Sequence, residues 1–193
     1  MKHTFGYLLI LILTSLPATL KAQLPEGKWF ASASIGMQTP FVGGTSGARM
    51  ATPYYSIALN KQVTNIFVAR FKVEGTSLRS RYNKHIHETN YMMMHADIMP
   101  CLSYWLSNTA DWEILPYVGL GYYHGFTTKE LKAADMLSVH FGVKGVWQIL
   151  PAVGLFGEVG IAVLPNEFDR YQSKRNQEGI GSLAIGLTWH FGK

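Results

Sequence analysis

From Trp29 onward, hydrophobic and polar positions alternate with a period of two. In Trp29–Met37 one face carries Trp29, Ala31, Ala33, Ile35 and Met37, and the other carries Ser32, Ser34 and Gly36. In Ser182–Phe191 the apolar face is Leu183, Ile185, Leu187, Trp189 and Phe191, set against Ser182, Ala184, Gly186, Thr188 and His190. This is the period of a strand, and no helical stripe competes with it. The same signature predicts strands at about Ala51–Asn60, Val63–Glu74, Tyr91–Tyr104, Trp112–Tyr123, Ser138–Ile149 and Gly154–Leu164, which with the end segments makes eight. Pro53, Pro100 and Pro116 each remove a ladder donor, yet the alternation continues past all three.

The connections sort into two kinds. Gln38–Met50, Gly75–Asn90, His124–Leu137 and Pro165–Glu178 are long and polar, whereas those around Lys61-Gln62, Ser107–Asp111 and Leu150–Ala152 are short. In an up-and-down meander every long loop falls at one end. The predicted fold is therefore all-β, an eight-stranded antiparallel up-and-down transmembrane β-barrel with long extracellular loops and short periplasmic turns. Aromatic placement agrees. With the N-terminus periplasmic, all five tryptophans, Trp29, Trp105, Trp112, Trp147 and Trp189, fall near the short-turn end. Tyr54, Tyr55, Tyr91, Tyr122 and Tyr123 fall near the other, giving two girdles of amphipathic rings at the two interfaces. Strict alternation turns Tyr91, Tyr123 and Phe156 inward.

Composition narrows the class further. A chain of 193 residues, 48% hydrophobic and 15% charged, is too apolar for disorder and too short for two ordinary domains. Residues 1–22 read as a signal peptide: Lys2 and His3 form a basic start, Tyr7–Leu16 an apolar stretch, and Pro17–Ala22 a cleavage region ending at Ala22. Residues 23–193 then form the barrel domain. Beyond Ala22 no apolar run reaches the roughly 20 residues of a spanning helix. Lys2 and Lys21 leave with the leader, so the remaining positive excess is too small to argue for nucleic acid. Cys101 is the single cysteine, which excludes an intramolecular disulfide and points to a buried thiol near the periplasmic end.

The charges specify which face is which. Arg70, Lys72 and Glu74 interleave with Phe67, Ala69, Phe71 and Val73, while His95 and Asp97 alternate with Met92, Met94, Ala96 and Ile98. His140 and Lys144 alternate with Val139, Phe141 and Val143, and Glu158 lies on the next strand. A charge facing lipid near the midplane costs roughly 2–4 kcal/mol, so these eight groups should point into the lumen. Counting along the strands puts Arg70 about opposite His95 and near Asp97, and Lys144 about opposite Glu158. The interior of an eight-stranded barrel is just filled by side chains, so an ion-paired core is expected in place of an open pore. An acid–base or ion-binding site is the functional alternative. A soluble lipocalin-like barrel would have the opposite sense, and alternation alone does not distinguish inside from outside.

Three segments resemble small outer-membrane barrels of the OmpA/OmpX type: Pro116–Tyr122, Phe141–Gly145 and Gly186–Phe191. The resemblance implies the outer membrane of a Gram-negative bacterium, with lipid and lipopolysaccharide as surroundings. It also implies recognition by the barrel insertion machinery through Leu187, Trp189 and Phe191. Members differ widely in activity. Some are hydrolases of lipid A, with a serine two positions after a histidine; none of His85, His87, His95, His124, His140 and His190 has one there. The expectation is a non-enzymatic, structural or surface-interaction barrel with no cofactor, and a lipid A-modifying hydrolase is the alternative. Arg79, Arg81 and Lys84 form a basic patch in the Gly75–Asn90 connection, suited to lipopolysaccharide phosphates. His85-Ile86-His87-Glu88 offers ligands for a first-row cation, but surface histidines on a basic loop are the simpler account and no metal is assigned. The sequence names no extracellular partner.

Overall fold

Each alternating segment becomes one strand in the computed structural model, which describes residues 28–41, 50–82, 85–103, 112–127, 133–150, 152–165 and 177–191. The strands are β1 (Trp29–Phe41), β2 (Thr52–Gln62), β3 (Phe67–Tyr82), β4 (His85–Pro100), β5 (Trp112–Gly125), β6 (Ala134–Leu150), β7 (Val153–Pro165) and β8 (Gln177–Phe191). Every strand pairs antiparallel with its sequence neighbours, and β1 pairs with β8 from Trp29↔Phe191 to Phe41↔Gly179, which closes the barrel. Closure removes the free edges that an open sheet would expose. The expected leader and its cleavage site lie outside the described residues.

Three connections differ most from the sequence expectation. The segment Gly75–Asn90, expected as a loop, is the far end of a hairpin: β3 and β4 are 16 residues each and pair from Phe67↔Pro100 to Tyr82↔His85, with only Asn83 and Lys84 between them. Most positions of this segment are polar in sequence, so the hydrophobic alternation that marks a strand is lost although the hydrogen bonding continues. Conversely, Val63–Ile66 is a turn, not the start of β3. The Val63 and Thr64 amides both donate to the Phe67 carbonyl, and Thr64 Oγ1 accepts from the Ile66 and Phe67 amides at 3.2 and 3.0 Å. Likewise β4 stops at Pro100 and does not reach Tyr104; the Cys101 and Leu102 amides donate to the carbonyls of Ile66 and Ile114.

The wall is inverted relative to a soluble barrel. Its outer face is apolar, with Leu120 71% and Leu137 77% exposed, and the charges are inside. The lumen is layered. Toward the short-turn end Phe30, Val68, Met99, Cys101, Leu115, Tyr117, Val146 and Phe156 pack into one apolar cluster. Toward the other end Leu78, Tyr91, Met93, Tyr123, Ala162, Leu164 and Ile180 form a second. On β3, β4 and β7 the buried charges Arg70, Lys72, Glu74, His95, Asp97 and Glu158 fall between these two layers. A soluble ligand-binding barrel is therefore excluded as the fold's sense, since some thirty large hydrophobic side chains would face water.

Candidate functional site: a sealed ion ring in the lumen

Strand periodicity delivers the site. β3 sends Arg70, Lys72 and Glu74 inward at intervals of two, β4 sends His95 and Asp97, and β7 sends Glu158. The register pairs Arg70 with Asp97 and Lys72 with His95, one pair along from the expected Arg70–His95 match. Arg70 Nε lies 2.6 Å from Asp97 Oδ2, and Arg70 Nη1 2.7 Å from Glu158 Oε2. Lys72 Nζ lies 2.9 Å from Glu158 Oε1 and 2.7 Å from Glu74 Oε2. His95 Nε2 stands 3.8 Å from Glu74 Oε2, and His95 Nδ1 2.9 Å from Asp97 Oδ1. These contacts form a closed ring, Asp97–Arg70–Glu158–Lys72–Glu74–His95, that alternates in sign all the way round when His95 is an imidazolium. Every member is buried. The Lys72–Glu74 contact joins residues two apart on one strand and is an ion pair without hydrogen-bond alignment, which leaves Glu74 Oε2 without a directed donor.

Lys144 behaves differently from expectation. It is the register partner of Glu158, but its ammonium donates to Ser32 Oγ at 3.0 Å and lies 4.0 Å from the centroid of the Phe156 ring. The reason is saturation: Glu158 already takes Arg70, Lys72 and the Tyr117 hydroxyl, which donates to Oε1 at 3.1 Å. The Tyr117 ring also carries the Arg70 guanidinium on its face at 4.2 Å. His140 stacks on His95, with centroids 4.0 Å apart and planes within 5°, and its Nε2 shares a 2.7 Å hydrogen bond with Ser138 Oγ. Sequence reasoning does not single out Tyr117, Ser138 or Ser32; the signal for them is parity, since Ser138 shares a face with His140, Tyr117 with Tyr123, and Ser32 belongs to the polar face of β1. Inward glycines make the room. A Cβ on Gly160 would sit 2.2 Å from the Tyr117 hydroxyl, and one on Gly121 2.6 Å from His140 Nε2.

The chemistry open to this cluster is limited by its geometry. Glu74, His95 and His140 bring ligand atoms within 4.8 Å of one another. The two imidazoles are parallel plates, however, so their in-plane lone pairs do not converge on one ion, and the Lys72 ammonium already holds Glu74. Ser138 and His140 are a hydroxyl–imidazole pair, but in the order opposite to the hydrolase spacing. Both are buried in the lumen, with Ser138 beside Met93 of the upper apolar layer.

The remaining predicted residues take definite places. Trp29, Trp112, Trp147 and Trp189 face outward at the short-turn end, and Tyr55 and Tyr122 face outward toward the other; Trp105 lies outside the described residues. Tyr54 does not belong to the girdle. It is fully buried in the lumen beside Gly36, because adjacent residues on a strand face opposite ways and Ile57 and Leu59 fix Tyr55 as the outward member. Tyr91 and Phe156 point inward, as does Tyr123, and the Tyr91 hydroxyl donates to Gln38 Oε1. The terminal Leu187, Trp189 and Phe191 all face outward, with Phe191 opposite Trp29. Of the basic patch, Arg79 is in β3 and pairs with Glu88 at 3.0 Å, so it is half-neutralised on an exposed face. Lys84, and the side chains of Arg81, His85 and His87, lie outside the described residues.

An apolar outer belt, aromatic rims and a sealed, charged interior define a small transmembrane β-barrel. No protein-family model matches the sequence, and no curated protein sequence does. Solved structures supply the comparison. Neisserial surface protein A superposes with a TM-score of 0.61 at 10% identity, over 84% of this chain and 97% of that one. The attachment invasion locus protein Ail of Yersinia pestis, solved in complex with the heparin analogue sucrose octasulfate, gives 0.57 at 11% identity, over 86% and 100%. A major outer membrane protein from Thermus thermophilus gives 0.56 at 12%, over 86% and 100%. At such identities the likeness concerns the fold, which is that of the small outer-membrane barrels of the OmpA/OmpX type.

Proposed function

We propose that this is a non-enzymatic outer-membrane barrel of a Gram-negative bacterium, exported by its signal peptide, with a structural role in the membrane and a contact role at its extracellular end. The observation that carries this is the sealed lumen: the ring's charges are consumed by one another, and apolar layers close it above and below. What remains accessible lies on the outside. The β3–β4 hairpin projects beyond the belt with the Arg79–Glu88 pair on its face. On β5 and β6 the Tyr122 hydroxyl donates to Asp135 Oδ1 at 2.5 Å, and His124 Nδ1 contacts the same oxygen at 2.6 Å. These polar groups sit at the level of lipopolysaccharide headgroups, the proposed partner at this end. Leu187, Trp189 and Phe191, aligned on the lipid side, support recognition by the insertion machinery.

The test is a deletion strain compared with its parent by mass analysis of lipid A, together with planar-bilayer recordings of the purified barrel. Unchanged lipid A and no unitary conductance are expected. Altered acylation that is restored by the native chain but not by Ser138→Ala would favour the hydrolase reading, whose one support is the Ser138–His140 contact.

A further inference from the structure

The outer wall is not uniform around its circumference. β1 presents Ala31 and Ala33 to lipid, while its register neighbours present Leu59 and Ile57 on one side and Trp189 and Leu187 on the other. The large side chains stand above the alanines and leave an apolar groove of about 600 Å³. That volume falls in the range of roughly 300–1,000 Å³ typical of sites for small molecules. At the foot of the groove, Lys61 is the register partner of Trp29 and holds its ammonium 5.0 Å from the indole centroid. An apolar trough that ends on an exposed cation and a half-exposed indole matches an amphiphile with a hydrocarbon tail and an anionic head.

The position fixes which amphiphile. Lys61 and Trp29 lie at the short-turn, periplasmic rim, so the head must come from the periplasmic leaflet and not from the surface bearing the long connections. We infer that this groove binds an anionic phospholipid, with one acyl chain along Ala31 and Ala33 and the phosphate against the Lys61 ammonium. A second copy of the chain is the weaker occupant. Its wall is convex overall, and a stable pair would need to bury roughly 1,200–2,000 Å² against a surface that is concave here.

This inference rests on the membrane reading, and the experiment separates the two. The mature protein is placed in nanodiscs of equal phosphatidylglycerol and phosphatidylethanolamine and analysed by native mass spectrometry, with heat-modifiable gel mobility recorded on each sample. The native chain should retain a lipid adduct in which phosphatidylglycerol predominates. Lys61→Gln should lower that preference roughly fivefold, the effect of one lysine on an anionic lipid surface. Ala33→Trp should remove the adduct by filling the groove; should that variant not fold, Lys61→Gln, at the exposed rim, still decides the matter. Equal retention of both lipids, adducts unaffected by Lys61→Gln, or a dimer mass in place of a lipid adduct would each overturn the assignment. Failure of the native chain to enter nanodiscs with shifted gel mobility would instead overturn the membrane reading.

Discussion

Arg70 holds two carboxylates at once, Asp97 and Glu158, and each of these has a second cationic neighbour in the ring. Breaking a buried ionic network from one side leaves charge without a partner, which costs about 3–5 kcal/mol. Arg70→Met should accordingly lower barrel stability by about that amount, measured as a fall in the urea midpoint of the folded gel band. The glycines give a paired test of the packing. Gly160→Ala drives a methyl into the Tyr117 hydroxyl and should cost about 1–3 kcal/mol, the usual penalty of overpacking. Gly157→Ala points its methyl into open space outside the wall and should be close to neutral. Equal effects of the two would contradict a lumen filled as described. At this scale the sequence reveals which residues share a face, because strand parity is local. It does not reveal partners: Lys144 stands opposite Glu158 but finds Ser32 and two aromatic rings, since Arg70 and Lys72 arrive at Glu158 from across the lumen. Nothing along β6 or β7 encodes that competition.

Among the elements, legibility follows hydrophobic contrast. Inside the membrane belt, lipid on one face and charge on the other make each strand conspicuous, and all eight are recognisable. Above the belt most positions of both strands of the β3–β4 hairpin are polar in sequence, and the ladder there leaves no periodic trace. Tyr54 departs from the girdle for a related reason: proximity along the chain suggests a shared interface, and parity sends one of two adjacent tyrosines inward. The belt itself is testable. Val118 is outward-facing in the middle of β5 and 58% exposed, so Val118→Arg should cost about 2–4 kcal/mol in a bilayer. Replacing Ser80–His87 by a two-residue turn should instead leave the barrel's folded gel mobility intact, because the inward side chains that build the upper apolar layer begin at Leu78 and Tyr91. Loss of the folded form on shortening would show that the hairpin is part of the barrel's stability and not an appendage.

For the molecule as a whole, the inverted distribution of polarity decides the environment. The same eight strands with their faces exchanged would be a soluble container; with charge inside and Leu, Ile, Val, Phe and Trp outside, the chain is stable only where hydrocarbon surrounds it. The ring of ions, paired member to member and closed off by apolar layers, then takes the place that a hydrophobic core holds in a soluble protein. The most direct check of this account is the gel mobility of the detergent-folded mature protein with and without boiling, beside a detergent-free control. A band that shifts on boiling, from protein that needs detergent to stay dispersed, is the predicted result. Protein that stays soluble without detergent and migrates identically in both lanes would contradict it.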